Sequence, residues 1–235
     1  VIAPPPSFNN AAPTARALLF DMDGLLVDSE PLWLRVEADV AARFGRTWSA
    51  AQAEGCAGTG LRRTAEIVIA TLALPLDVDA CVTLFEEGYL ARLGELAPKP
   101  GALELVRAAR GRARVALATS SPKRLAEAVL EHLGAREAFD AIASGSEVKT
   151  PKPEPDVFLL AASRLGVAPT GAIVLEDSVP GAIAGKRAGA FVLGVPDFHT
   201  DRAALARQAD LVLGSLEGVG AWLFEGAPLP GAASR

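Results

Sequence analysis

The sequence predicts an α/β protein, a doubly wound parallel sheet whose first strand is followed by an all-α insertion. Three observations carry this. Short segments that are apolar on both faces end in polar residues at several points, the pattern of buried parallel strands. Helical stretches closed by glycine separate those segments from about residue 99 onward. Between residues 29 and 98 the alternation stops and only helical periodicity remains.

In chain order, VIAPPPSFNNAAPTAR (1–16) is rich in Pro, Asn and Ala and reads as a mobile tail, without the charged start and continuous apolar run of a secretory signal. ALLFD gives a first strand ending at Asp21. Leu32, Val36, Val40 and Phe44 recur every fourth residue, and Val78, Val82, Phe85 and Tyr89 form a second such stripe. Both are amphipathic helices with no strand between them. Residues 29–98 are therefore a helical cap that re-enters the core near APKPG (97–101), leaving 17–28 and 99–235 as the α/β core.

Within that core, RVALATS is a strand ending at Ser120. The helix SPKRLAEAVLEHLG follows, with Ser121 as N-cap, Pro122 in the first turn and Gly134 as terminator. PDVFLLAASRLG closes on Gly166, AIVLED is a strand ending at Asp177, VPGAIAGKRAG closes on Gly189, and AFVLGV is a strand ending at Val195.

The chain has 235 residues, 50% of them hydrophobic and 22% charged, enough for a real core in a soluble globular protein. It contains no run of roughly 18 apolar residues, so a membrane span is not expected and the cytoplasm is. Cys56 and Cys81 have no CxxC spacing and are expected as buried free thiols. A net charge of −5, with ten acidic against six basic residues in 29–98, disfavours nucleic acid and anionic membranes. A phosphate ligand would need specific cations or a metal. His132 and His199 are isolated and expected at a solvated surface.

Ligands of open α/β sheets bind at the carboxyl ends of the strands, so Asp21 and Asp23, Thr119 and Ser120, and Glu176 and Asp177 should converge. Four carboxylates in one place repel unless a hard cation bridges them, and Mg²⁺ suits oxygen ligands beside a substrate phosphate. An EF-hand is excluded, because Gly24 stands at the fourth position and a strand precedes the loop. ATSSPKR sets hydroxyls and free N–H groups at a helix start, a setting for an anion, with Thr119 as the side-chain candidate and Ser120 as the backbone donor. In TPKPEPD the prolines flanking Lys152 predict a stiff, extended segment that aims its ammonium.

Taken together these residues resemble the haloacid dehalogenase superfamily from about Ala17 to Val195. The four motifs occur in order: Asp21, Asp23 and Gly24; Thr119; Lys152 to Asp156; and Glu176-Asp177-Ser178 followed by Gly181 and Ala188-Gly189. The helical insertion resembles the α-helical cap of the sugar-phosphate phosphatase and β-phosphoglucomutase group. The resemblance implies a Rossmann-like core, with Asp21 as nucleophile forming an aspartyl-phosphate and Asp23 as general acid and base. It implies Mg²⁺ held by Asp21, the Asp23 carbonyl, Asp177 and Glu176. Thr119, Ser120, Lys152 and Gly24 would hold the phosphoryl group, and Glu30, Trp33, Gly58, Thr59 and Arg62 of the cap would contact the substrate. The expected reaction is hydrolysis of a small phosphorylated metabolite, a sugar or sugar-alcohol phosphate, by a monomer. Mutases of the group carry a His where this chain has Trp33, which favours the phosphatase over the alternatives of a phosphosugar mutase or a non-catalytic binding protein. Dehalogenases lack an acid at the position of Asp23.

Overall fold

The computed structural model describes residues 12–56 and 60–231. Six parallel strands form one sheet: β1 (Ala17–Phe20), β2 (Arg114–Thr119), β3 (Ala141–Ser144), β4 (Ala172–Glu176), β5 (Phe191–Gly194) and β6 (Leu211–Val212). Their spatial order is β3-β2-β1-β4-β5-β6. From β1 the chain moves outward in one direction through β2 and β3, then crosses back to β4 on the other side. The crevice between β1 and β4 is thus the topological switch point, with Phe20 in register with Leu175.

Residues alternate between two cores. Leu18, Phe20, Leu117 and Leu175 face one cluster, while Leu19, Ala116, Ala118 and Val174 face the other. Helices α5 (Ala102–Ala109), α6 (Lys123–His132) and α10 (Val219–Glu225) contribute to the first cluster; α7 (Asp156–Leu165), α8 (Val179–Ala188) and α9 (Arg202–Ala206) contribute to the second. Burial on both faces is what commits these short apolar segments to a parallel sheet. Gly166 and Gly189, both left-handed, end α7 and α8.

Four further helices occupy the insertion: α1 (Glu30–Arg43), α2 (Ala50–Glu54), α3 (Leu61–Leu72) and α4 (Val78–Ala91). Of the two stripes, Leu32, Val36, Val40, Phe85 and Tyr89 are buried, while Phe44, Val78 and Val82 are partly so. Gly88 allows α1 and α4 to pack closely, since a Cβ there would lie 2.9 Å from Val36 Cγ1. The two connections to the core lie side by side: the Asp28 N–H donates to Ala97 O at 2.9 Å, and the Lys99 N–H to Leu26 O at 3.0 Å.

Several expectations are corrected. Pro122, not Ser121, caps α6, because the Ser121 hydroxyl is used elsewhere. The segment around Lys152 is a turn, not an extended run: the Glu154 N–H donates to Pro151 O at 2.9 Å, and the Lys152–Pro153 peptide is cis. Most of the expected tail lies outside the described residues, but Arg16 already extends the central strand β1, its N–H donating to Gly171 O and its carbonyl accepting from Arg114 N. β3 and β6 were not anticipated. Among the described residues Cys56 and Cys81 are buried and outside any disulfide, and no helix is long and apolar enough to cross a membrane.

One buried acid in α1 makes stability depend on pH. Glu37 is buried and accepts a 2.7 Å hydrogen bond from Trp48 Nε1. Burial pushes its carboxyl up to about 7, against the pull of the Trp48 bond and with the charge of Glu30 adding to the rise. The folded chain therefore holds this proton more tightly than the unfolded chain, whose glutamate titrates near 4.5. Stability from this group is complete below that lower value and is lost as pH rises through about 7. Glu37→Gln keeps an acceptor for Trp48 but cannot ionise. Urea unfolding should show it more stable than the native chain by about 2 kcal/mol at about pH 8, and by less than half of that near pH 5. An equal gain at both pH values would contradict this account.

Candidate active site

Asp21 follows β1 directly, its N–H bonded to Leu175 O at 3.0 Å, so its carboxylate emerges at the switch point. Glu176 ends β4 beside it, and Asp177 comes next. One oxygen from each of Asp21, Glu176 and Asp177 lies within 4.8 Å of the others. The cation facing this group is Lys152, whose Nζ reaches Asp21 Oδ1 and Glu176 Oε1 at 2.5 Å each and Ala118 O at 3.2 Å. Phe158 covers the ammonium from one side, 4.8 Å from Nζ to ring centroid.

The charges do not balance. Burial pushes Asp21 up to about 7, with Lys152 pulling it down and Glu176 and Asp23 pushing it further up. Burial likewise raises Asp177 well above the usual carboxylate range, and the charges of Glu176 and Asp21 add to it. For Lys152 burial opposes the charged form, but Asp21 and Glu176 outweigh it and hold its pKa above the ordinary lysine value. Three carboxylates against one ammonium leave room for a divalent cation, and an all-oxygen donor set fits Mg²⁺. Glu176, however, commits both oxygens: Oε1 to Lys152, and Oε2 to the Ser178 N–H at 3.1 Å and hydroxyl at 2.8 Å. Asp21 Oδ2 and the Asp177 carboxylate are the freer ligands, and Glu176 anchors the lysine.

Glycines make this convergence possible. Gly24 has φ +82°, and a Cβ there would lie 2.5 Å from Asp177 Oδ2 and 3.0 Å from Asp197 Oδ2. The structure thus sets Gly24 against carboxylates. At Gly181 in α8 a Cβ would stand 1.9 Å from Glu176 Cδ, so only glycine leaves room for that side chain.

Asp23 lies on the tight loop after Asp21 and is held by three donors. Ser29 Oγ and Trp33 Nε1 reach its Oδ1 at 2.6 and 3.3 Å, and Ser121 Oγ reaches Oδ2 at 2.6 Å. Two of these come from the start of the helical insertion and one from the loop after β2. Thr119 is buried at the end of β2, its Oγ1 accepting from the Ser121 N–H at 3.0 Å, and Ser144 at the end of β3 fixes the same loop by donating to Ser121 O at 2.7 Å. Ser120 is exposed beside it.

The structure therefore brings together Asp21, Asp23, Gly24, Thr119, Ser120, Lys152, Glu176 and Asp177. Among the cap candidates, Trp33 reaches Asp23 and stacks on Tyr89 with centroids 4.4 Å apart. Tyr89 is fully buried and its hydroxyl has no partner among the described residues. Glu30 pairs with His199, which corrects the reading of His199 as isolated. Arg62 does not reach the site and instead pairs with Asp79 at 2.6 Å on the exposed surface of α3 and α4. Gly58 and Thr59 lie outside the described residues. The sequence reading missed Ser29, Ser121, Ser144 and Ser178 as support for the acids. For Ser29 and Ser178 the available signal was a hydroxyl next to an acidic motif, whereas Ser121 and Ser144 flank none.

Comparisons with known proteins identify the family of the chain. The family model for haloacid dehalogenase-like hydrolases matches residues 15–189. The chain is 34% identical to fructose-1-phosphate phosphatase YqaB of Escherichia coli over 73% of its own length and 92% of the relative's. It is 36% identical to hexitol phosphatase B of Escherichia coli over 85% of its length and 92% of the relative's. Among solved structures, CbbY from Rhodobacter sphaeroides in complex with phosphate superposes with a TM-score of 0.78 at 32% identity, covering 88% of this chain and 98% of that one. With the sheet order, the four motifs and these matches in agreement, the chain belongs to the haloacid dehalogenase-like hydrolase family.

Proposed function

We propose that this protein is a Mg²⁺-dependent phosphatase that hydrolyses a small sugar or sugar-alcohol phosphate through a phosphoryl group carried on Asp21. The observation that carries the reading is the placement of Asp21 at the switch point, with Oδ1 bound to Lys152 and a carboxylate oxygen within 4.8 Å of oxygens of Glu176 and Asp177. The phosphatase names of the relatives at 34% and 36% identity support the substrate class.

In the first step a carboxylate oxygen of Asp21 attacks phosphorus in line, the bond from phosphorus to the ester oxygen breaks, and Asp23 gives its proton to the departing alkoxide. In the second, Asp23 takes a proton from water, the water oxygen attacks phosphorus, and the bond to Asp21 breaks to release phosphate. Asp23 must therefore exist in both protonation states. Ser29 and Ser121 suit this because a hydroxyl can donate to a carboxylate and accept from a carboxylic acid by rotating its proton. Lys152, Thr119 and the Ser120 amide position the phosphoryl oxygens, the main demand of phosphoryl transfer. Asp21, Asp177 and the Asp23 carbonyl would hold Mg²⁺, which supplies charge neutralisation of nucleophile and phosphoryl group. The insertion 29–98 serves as a cap that excludes bulk water, hinged at 28–30 and 97–101. A mutase would need a titratable group where Trp33 stands, and indole does not titrate. The chain works as a cytoplasmic monomer, and cysteines outside any disulfide suit the cytoplasm.

Asp21→Asn should abolish phosphate release from hexose and hexitol phosphates, and a chelator should stop the native chain until Mg²⁺ is restored. Release that survives the substitution would overturn the role of Asp21. Asp23→Asn should lower turnover of alkyl phosphates by about 10²- to 10⁴-fold. On p-nitrophenyl phosphate, whose leaving group needs no proton, the same variant should show a burst of one phenolate per chain followed by slow turnover. Slow release without a burst would place Asp23 outside the second step.

A further inference from the structure

The loop after β5, residues 195–200, runs from the sheet to both connections of the helical insertion. Asp197 pairs with Lys99 at 2.6 Å, both side chains largely buried. The Thr200 N–H closes a turn onto Asp197 O at 3.0 Å, so the loop is held in place. Two residues past Asp197, His199 Nε2 lies 2.9 Å from Glu30 Oε2 at the start of α1. Glu30 follows Ser29, whose hydroxyl binds Asp23. Burial raises the Glu30 carboxyl; His199 opposes the rise, and the charges of Asp197, Asp28 and Asp23 add to it. Through Asp197, whose Oδ2 would lie 3.0 Å from a Cβ on Gly24, and through Ser29, which binds Asp23, the pair is tied to the acidic site from two sides.

Phe198 completes the surface. It is 91% exposed, an unusual setting for so large an apolar side chain, and its ring meets the His199 imidazole edge-on with centroids 5.0 Å apart. An exposed aromatic ring beside a carboxylate and an imidazole offers an apolar face for C–H groups and acceptors and donors for hydroxyls. Among the described residues two other cap candidates are committed elsewhere, Arg62 to Asp79 and the Trp33 N–H to Asp23.

We propose that Glu30, His199 and Phe198 form a clamp for the hydroxylated carbon chain of a sugar or sugar-alcohol monophosphate, so that a loop of the α/β core selects the substrate together with the insertion. This rests on the phosphatase reading above. The pairing of His199 with Glu30 keeps both groups oriented until hydroxyls of the substrate bind their remaining lone pairs and proton.

The test compares sorbitol 6-phosphate with acetyl phosphate, whose leaving group has no hydroxyl, in the native chain and in Glu30→Gln, His199→Gln and Phe198→Ala. The clamp predicts that the ratio of kcat/KM for the hexitol ester over acetyl phosphate falls by about tenfold or more in each variant, mainly through KM. A ratio within about twofold of the native value, whatever the absolute loss, overturns the clamp and makes the contact a mere link between loop and insertion. If the native chain hydrolyses neither ester, the phosphatase reading itself fails. Calorimetric binding of sorbitol 6-phosphate against inorganic phosphate then judges the clamp alone, a selective loss in the variants supporting it and unchanged selectivity overturning it.

Discussion

The structure is organised around one electrostatic constraint: Asp21, Glu176 and Asp177 converge within 4.8 Å, faced by the single ammonium of Lys152. Left uncompensated, such a group costs stability, because each carboxylate is taken from water and placed beside others of the same sign. The parallel sheet creates the problem, since its switch point brings the ends of β1 and β4 together. It also provides the means of containing it. Lys152 is turned inward from a proline-flanked turn, Glu176 is fully committed to Lys152 and Ser178, and the remaining negative charge is left facing the crevice. A cation and a phosphoryl group are the ligands that such a charge pattern would hold.

Packing follows from the same constraint. Gly24 and Gly181 occur where a methyl group would collide with Asp177 and Glu176, so the backbone itself forms the wall of the acidic cluster. Asp23 stands outside that cluster and has donors of its own. Its three donors come from two loops and a helix that meet only when the insertion sits on the core. The acid and the lid are thereby linked physically: a movement of α1 that carries Ser29 and Trp33 away would change what surrounds Asp23.

Much of this was legible in the sequence, for identifiable reasons. Strands β1, β2, β4 and β5 are apolar on both faces, and the first three lead into residues with obvious chemistry, so both the fold and the core acids could be read directly. The strand Ala141–Ser144 escaped because four residues rich in alanine carry little pattern, and Leu211–Val212 is shorter still. Ser121 was misread because a serine before a proline looks like a helix cap, whereas its hydroxyl is drawn across the crevice to Asp23. The extended reading of the Lys152 segment weighed proline stiffness and missed the turn. His199 and Arg62 were beyond reach for a different reason: their partners, Glu30 and Asp79, are set by how loops and helices meet in space, and local spacing does not encode that.

The central claim is that the phosphoryl group passes through Asp21. The most direct test is to quench the Mg²⁺-loaded enzyme in acid during turnover of a hexitol phosphate and examine its peptides by mass spectrometry. The account predicts a peptide containing Asp21 that carries one phosphoryl group and loses it on treatment with hydroxylamine. Continued phosphate release with no phosphorylated Asp21, or with the group on another side chain, would contradict it.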